Sequence, residues 1–135
     1  MTNKAIVYSS GLGKTRKIAD YVAKGLKADV FDLKKQTTIN LSEYNHIIFG
    51  TGIHGGKPYG PLVKFLADNK GQLAGKKKTL FLSCMHTDEK GEAQLKKVSG
   101  ELGIDDAFFF PGKGEKNEEG MDKAVDRFID EMRKR

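Results

Sequence analysis

The feature of this sequence that most constrains its fold is the regular alternation of short apolar runs with longer amphipathic segments. Five runs rich in β-branched and aromatic residues have the character of buried strands: Lys4 to Ser9, Asp29 to Leu33, His46 to Thr51, Thr79 to Cys84 and Ala107 to Phe110. Strands that alternate with helices run parallel, because each crossover returns the chain to the edge where the next strand begins. The pattern predicts a three-layer α/β fold with a five-stranded parallel sheet, for which 2-1-3-4-5 is the natural strand order.

Apolar residues recur at helical spacing between and after these runs. The predicted helical faces are Ile18/Val22/Leu26, Leu62/Phe65/Leu66, Leu95/Val98/Leu102 and Met121/Val125/Phe128/Met132. The last helix is predicted to begin with Glu118 and Glu119 and to end in basic residues, which would complement the helix dipole. Residues 34–45 hold few apolar positions, so the second crossover is predicted to be a short helix or a turn.

Length and composition restrict the class of protein. A chain of 135 residues is expected to form one domain spanning residues 1–135. No apolar run approaches the roughly 20 residues that a membrane span requires, and the first residues carry no signal-peptide pattern. The single cysteine, Cys84, excludes an internal disulfide. We therefore expect a cytoplasmic protein without a membrane span.

The net charge of +6 raises the question of nucleic-acid binding. Most basic residues are interleaved with acids, and only Lys76, Lys77 and Lys78 form a tight cluster. This cluster precedes a predicted strand, at the edge of the sheet where a solvated surface is expected. Few aromatic residues interleave the lysines, so a platform for stacking bases is not indicated. We expect no nucleic-acid partner.

The segment from Ser9 to Thr15 lies between the first predicted strand and the first predicted helix. Its residues are Ser9, Ser10, Gly11, Leu12, Gly13, Lys14 and Thr15. A helix N-terminus presents unpaired N–H groups and a partial positive charge, and the three hydroxyls would add donors. This pattern predicts a phosphate site, with an ordinary turn capped by serines as the alternative.

Other phosphate-binding motifs match this segment only in part. Gly13-Lys14-Thr15 resembles the end of a nucleoside triphosphate loop, but Tyr8 stands where the leading glycine belongs. A dinucleotide fingerprint would need glycine in place of Arg16. A response regulator would need carboxylates where Ser9, Ser10 and Thr51 stand. What remains is a site for one phosphate monoester.

Three loops are predicted to converge at the carboxyl ends of the strands, where ligands of such sheets bind. They run from Ser9 to Thr15, from Thr51 to Tyr59 and from Ser83 to Gly91. The second begins Thr51-Gly52-Ile53-His54-Gly55-Gly56-Lys57. Its glycines allow positive φ and close backbone approach to a flat ligand, although a surface turn is the alternative. A histidine metal site is not expected, because His46 begins its strand whereas His54 and His86 lie beyond the opposite strand ends.

Two stretches of the sequence resemble the flavodoxin family, and in particular its branch containing flavodoxin-like protoporphyrinogen oxidase. They are Ile6-Val7-Tyr8-Ser9-Ser10-x-x-Gly13-x-Thr15-Arg16-Lys17-Ile18-Ala19 and Tyr44-x-x-Ile47-Ile48-x-Gly50-Thr51-x-Ile53. The resemblance implies a flavodoxin-like fold and noncovalent FMN. It implies that residues 9–15 bind the FMN phosphate and that Thr51, Gly52, Ile53, His54, Gly55 and Gly56 border the isoalloxazine. Ser83, Cys84, Met85 and His86 would close its other side.

The sequence departs from the family pattern in its aromatic residues. It contains no tryptophan, so His54, Tyr59, Met85 or His86 would have to cover the flavin ring. Lys14 stands where common flavodoxins have asparagine and would help to offset the phosphate dianion.

The resemblance implies electron transfer between redox partners. Lys57, Lys90 and Lys113, near the expected flavin edge, predict a higher potential for the hydroquinone couple than in acidic flavodoxins. They also predict an acidic redox partner or a substrate with carboxylates. Two alternatives remain: an FMN-dependent oxidoreductase of the protoporphyrinogen oxidase type, and a nonredox domain that has lost FMN.

Overall fold

The computed structural model describes residues 3–9, 13–54, 57–83, 89–110 and 115–135, and a parallel β-sheet lies at their centre. The strands are β1 (Lys4–Ser9), β2 (Asp29–Asp32), β3 (His46–His54), β4 (Lys57–Pro58), β5 (Lys77–Ser83) and β6 (Ala107–Phe110). Their order is β2-β1-β3-β5-β6, with the short β4 antiparallel to the end of β3. The five parallel strands alone have the predicted order 2-1-3-4-5, so the expected sheet is confirmed.

Helices cover both faces of this sheet. They are α1 (Lys14–Leu26), α2 (Gly60–Asp68), α3 (Lys70–Leu73), α4 (Glu89–Leu102) and α5 (Lys123–Arg133). Apolar residues of α1 and α5 pack together on one face, whereas those of α2, α3 and α4 belong to the core of the other. Successive strand residues alternate between these two cores. Ala5 and Val7 of β1 face the core under α2, α3 and α4, and Ile6 and Tyr8 face the core under α1 and α5.

The start of the last helix differs from the prediction. Glu118 and Glu119 lie in a turn that includes Gly120 at φ 82°, and the helix begins only at Lys123. Asp122 is the N-cap, and its Oδ1 accepts a hydrogen bond from the backbone N–H of Ala124 at 2.9 Å. The prediction was wrong because acidic residues are favourable anywhere near a helix N-terminus. Their presence does not identify the residue that caps the first turn.

The connection between β2 and β3 forms turns and contains no helix. Ile39, Leu41 and Tyr44 are buried against the sheet, so this segment takes the place of a covering helix. Gln72 fastens it, because its Oε1 accepts from Leu41 N–H at 2.5 Å and its Nε2 donates to the Ile39 carbonyl at 3.1 Å. Hydrogen bonds from a distant residue thus hold this segment against the sheet, although its sequence has no helical periodicity.

Candidate functional site at the carboxyl ends of the strands

Hydroxyl-bearing residues lie where β1, β3 and β5 end. The strand register pairs Ser9 with Thr51 and Gly52 with Ser83, so these residues lie level on adjacent strands, about 4.8 Å apart. Ser9 is 2% exposed, Thr51 0% and Ser83 7%. Three buried hydroxyl residues at the carboxyl ends of neighbouring strands are unusual, because serine and threonine are mostly exposed. The ends of β1, β3 and β5 therefore lie side by side, as predicted, whereas the convergence of the loops that follow β1 and β5 stays a prediction.

The N-terminus of α1 has the properties of an anion cradle. Gly13 caps the helix in the left-handed conformation, at φ 89° and ψ −9°, and no side chain among the described residues caps the helix by a hydrogen bond. The first turn carries no acidic residue, and Lys14, Arg16 and Lys17 lie within it. No acidic side chain of the first turn therefore offsets the partial positive charge at the N-terminus of this 13-residue helix, which favours an anion there.

Two of the residues predicted to bind the FMN phosphate are buried hydroxyl residues. Thr15 is buried at the start of α1, and Ser9 is buried at the end of β1. Tyr8, on the opposite face of β1, is uncharged at neutral pH, and burial and the carboxylates of Asp32 and Asp20 raise its pKa further, to about 12. The other predicted phosphate residues, Ser10, Gly11 and Leu12, lie outside the described residues.

The second loop forms a β-hairpin, which the sequence interpretation missed. Strand β3 continues beyond Thr51 to His54 and pairs with β4, joining Ile53 to Pro58 and His54 to Lys57. Two residues, Gly55 and Gly56, separate the last pair, and they lie outside the described residues. A Gly-Gly step between extended segments is a known signal for a two-residue hairpin, and it could have identified this one.

The hydroxyl of Thr51 closes this hairpin loop at its base. It donates a hydrogen bond to the Gly52 carbonyl at 2.8 Å and accepts one from the backbone N–H of Tyr59 at 3.1 Å. Its only hydrogen is therefore used within the loop. Thr51 thus fixes the backbone position of Tyr59, just before α2 begins, and so holds the base of the loop between β3 and α2.

Tyr59 fills the space beside Gly52. A Cβ atom added to Gly52 would lie 2.9 Å from Cε2 and 3.0 Å from the hydroxyl oxygen of Tyr59. Gly52 does not have a positive φ, so close packing rather than backbone conformation explains the glycine. The result is an aromatic ring at the carboxyl end of β3, held by the Thr51 contact to the Tyr59 backbone.

Of the third loop, the structure describes Ser83 at the end of β5. Cys84, Met85 and His86 lie outside the described residues, so their predicted place beside the ring stays a prediction. His46 begins β3 and His54 ends it, which confirms that they lie at opposite ends of the sheet. Within the described ranges, no cluster of His, Cys, Asp and Glu side chains could hold a metal ion. Nor is any described helix long and apolar enough to cross a bilayer.

Comparisons with solved structures agree with this architecture. The chain is similar to a WrbA-like flavodoxin from Agrobacterium tumefaciens, with a TM-score of 0.66 and 20% identity over 99% of both chains. It is similar to a flavoprotein in complex with FMN from Lactobacillus acidophilus, with a TM-score of 0.65 and 15% identity over 81% of this chain and 93% of that one. These identities show a shared fold.

A third similar structure belongs to a much longer protein. The rubredoxin:oxygen oxidoreductase of Desulfovibrio gigas gives a TM-score of 0.66 and 18% identity, covering 96% of this chain but 35% of that one. The chain therefore spans about a third of that protein's length. No curated protein matches the sequence. A family model described as flavodoxin domain matches residues 5–134, and the chain therefore belongs to the flavodoxin domain family.

Proposed function

We propose that this chain binds FMN noncovalently and carries electrons between redox partner proteins. The observation that carries the proposal is the N-terminus of α1, where left-handed Gly13 caps a first turn that holds Lys14, Arg16 and Lys17 and no acidic residue. This arrangement suits a phosphate dianion. FMN, when bound, would supply the one- and two-electron chemistry.

Each loop has a separate task in this proposal. Residues 9–15 hold the phosphate, residues 51–56 border one side of the isoalloxazine, and residues 83–86 border the other. Tyr59 joins the second group, because its ring stands at the end of β3 beside Gly52. Thr51 serves as a positioning residue, since its hydroxyl holds the backbone of Tyr59. The protein thus contributes binding and orientation.

The charge of the chain favours an acidic redox partner. The formal net charge is +6, and the first turn of α1 carries three basic side chains beside the phosphate cradle. A positive surface attracts an acidic protein and accelerates its encounter. It also stabilises the negative charge that FMN acquires on reduction, so we expect a higher potential than in an acidic flavodoxin.

Flavin binding is tested by titrating the purified protein separately with FMN and with riboflavin, following the quenching of flavin fluorescence. We expect FMN to bind at least 100-fold more tightly, because riboflavin lacks the phosphate for which α1 provides the site. Ser9→Ala should reduce the ratio of FMN affinity to riboflavin affinity several-fold. Ser42→Ala, on the exposed β2–β3 connection, should leave this ratio unchanged. If the protein binds neither flavin, both redox functions are excluded, and the chain is a nonredox domain that has lost FMN.

The enzyme alternative is tested with the FMN-loaded protein. A carrier should exchange electrons with protein partners and show no turnover of protoporphyrinogen with a quinone acceptor. Saturable turnover at a rate above that of free FMN would instead assign the chain to the oxidoreductase class.

A further inference from the structure

The edge of the sheet at β6 carries unpaired backbone groups. Leu80 N–H donates to the Asp106 carbonyl at 2.8 Å, and β5 pairs in parallel with β6 from Leu80 and Ala107 onwards. Because alternate residues of a strand point their N–H and C=O groups to the same side, Phe108 bonds to β5, whereas Ala107 and Phe109 point away from it. Among the described residues, no strand pairs with β6 on that outer side.

The composition of β6 does not protect this edge. Proteins usually protect an exposed edge strand with charged side chains, proline or a bulge. The sequence of β6 is Ala-Phe-Phe-Phe, and residues 107–109 are half-buried. The strand at the opposite edge, β2, begins and ends with aspartate, at Asp29 and Asp32. Of the two edges, β6 is therefore the one suited to pairing with another strand.

A groove of about 530 Å³ follows this edge. All four residues of β6 line it, together with Leu95 of α4 and with Ala124, Arg127, Phe128, Glu131 and Arg135. Phe108 contacts the core under α1 and α5, whereas Ala107 and Phe109 contact the core under the other helices. A strand placed in the groove would thus cover apolar side chains on both faces of the sheet.

The outward backbone groups are spaced so that β6 can pair with itself. In an antiparallel pair, residues that exchange both N–H···O bonds alternate with facing residues that form none. Ala107 facing Phe109 of a second copy, and Phe109 facing Ala107 of that copy, would give four hydrogen bonds. Phe108 would then face its own counterpart at a twofold axis. Such an interface closes at two copies and leaves no unpaired edge at β6.

The direction of α5 follows from two contacts with the β6 region. Phe128 packs edge-on against Phe108, with ring centroids 5.0 Å apart, and Arg135 at the far end pairs with Asp106, just before β6 begins. Helix α5 therefore runs antiparallel to β6, and Phe128 lies level with the position of the twofold axis.

Charged side chains of α5 complement one another under this symmetry. Arg127 and Glu131 lie one and three residues from Phe128 in opposite directions, so the axis brings Arg127 within about 3 Å of Glu131 of the second copy along the helix direction. Arg127 is exposed and forms no ion pair with a described residue. Glu131 uses Oε1 for Arg135, at 3.4 Å, and Oε2 has no hydrogen bond within the described part of the chain.

We propose that this chain forms a twofold homodimer through β6, so that the groove holds the β6 strand of a second copy. The two antiparallel β6 strands join the five parallel strands of each copy into one continuous sheet. The carboxyl ends of the strands then point in opposite directions in the two copies. The two proposed FMN sites therefore lie at opposite ends of the dimer, and neither copy covers the site of the other.

Analytical ultracentrifugation of the purified full chain over a range of concentrations measures the association. We expect a monomer–dimer equilibrium without larger species. Ala107→Pro should weaken the dimer at least about 10-fold, because it removes the N–H of two of the four hydrogen bonds. That N–H points away from β5, and proline is tolerated at the first residue of an edge strand, so the fold should persist. Ala107→Val keeps the N–H and is the matched control, and urea unfolding checks the stability of both variants.

Disulfide trapping tests the register of the pairing. Cys84 is replaced by serine in both variants, so that the introduced cysteine is the single thiol. Phe108→Cys should give a disulfide-linked dimer on mild oxidation, because facing Cα atoms of a non-hydrogen-bonded pair lie about 4.5 Å apart. Ala107→Cys should not, since its counterpart would lie about 8 Å away, beyond the reach of a disulfide.

Charge reversal tests the contact between the two α5 helices. Arg127→Glu should weaken the dimer several-fold, because two like-charged pairs replace two opposite ones. Combining it with Glu131→Arg restores opposite charges across the axis and should recover most of the affinity. Lys134→Glu makes the same change of charge on an exposed residue outside the groove, and it should not weaken the dimer.

Four results would each overturn the proposal. The chain could stay monomeric at every concentration, which would leave this edge to a strand of another protein. Ala107→Pro could dimerise as tightly as the unmodified chain, or Ala107→Cys could cross-link as readily as Phe108→Cys. The double charge reversal could fail to recover any affinity. The last three would place the interface on another surface or in another register.

Discussion

Gly50 illustrates how a single residue is determined by a contact distant in sequence. A Cβ atom at this position would lie 2.2 Å from Cζ of Phe81, whose buried ring packs against Phe110 and Phe128. We expect Gly50→Ala to lower the free energy of unfolding by about 2–3 kcal/mol, because the ring has no space into which to move. Urea unfolding at neutral pH measures the change.

A double variant separates this clash from a general effect of replacing glycine. Gly50→Ala combined with Phe81→Leu should cost less than the sum of the two single changes, because the smaller side chain leaves room for the new methyl group. Gly71→Ala is the matched control, since nothing lies within 4 Å of its Cβ position and α3 accommodates alanine. Strict additivity would contradict the contact.

His46 makes stability depend on pH. Its pKa is lowered from 6.5 to about 4 in the folded protein, chiefly by burial. Between these values the unfolded chain binds more protons, so the free energy of unfolding falls as the pH is lowered from 6.5 towards 4. The loss is at most about 3 kcal/mol for a shift of this size.

His46→Gln should remove most of this dependence. Glutamine can still donate to Thr79 through its amide nitrogen but does not titrate. Urea midpoints at pH 7 and pH 4.5, compared between the two proteins, isolate the contribution of this residue from that of the carboxylates. Equal pH dependence in both proteins would show that His46 is protonated as readily when folded as when unfolded.

At the scale of elements, α5 depends on the cap at its first turn. Asp122 is buried, and its Oδ1 accepts from the N–H of Ala124. We expect Asp122→Ala to lower the free energy of unfolding by about 1 kcal/mol, because that N–H would lose its partner. Asp122→Asn keeps an acceptor and should cost less, whereas Glu118→Ala should cost nothing measurable, since the turn before the helix does not use it as a cap. Chemical unfolding of the three variants decides between them.

The hairpin formed by β3 and β4 is the element that the sequence interpretation described least well. The predicted strand stops at Thr51, but the paired strand continues to His54, and its return strand brings Tyr59 against Gly52. Periodicity identified the buried part of β3 correctly. It could not identify the extension, because Gly52-Ile53-His54 contains one apolar residue and so shows no apolar alternation.

At the scale of the whole molecule, the basic charge should govern encounters with redox partners. With a net charge of +6, electron transfer to an acidic protein should slow as ionic strength rises, because screening shortens the reach of the attraction. Stopped-flow measurements of the FMN-loaded protein between about 10 and 200 mM salt should show at least a several-fold decrease. A neutral small-molecule oxidant is the control, and its rate should change little. A rate with the acidic protein that ignores salt would exclude electrostatic steering.

The sequence alone determined the strand order and the end of the sheet at which the proposed FMN site lies. The alternation of short apolar runs with amphipathic segments is local, and Gly13 marks the start of α1 because a left-handed cap suits glycine. Only the tertiary structure decided that Gly50 accommodates Phe81, that Gly52 accommodates Tyr59 and that His46 reaches Thr79. The members of each pair are separated in the chain by a turn or by a longer segment. The residues next to each of them in sequence therefore do not indicate which side chain it contacts after folding.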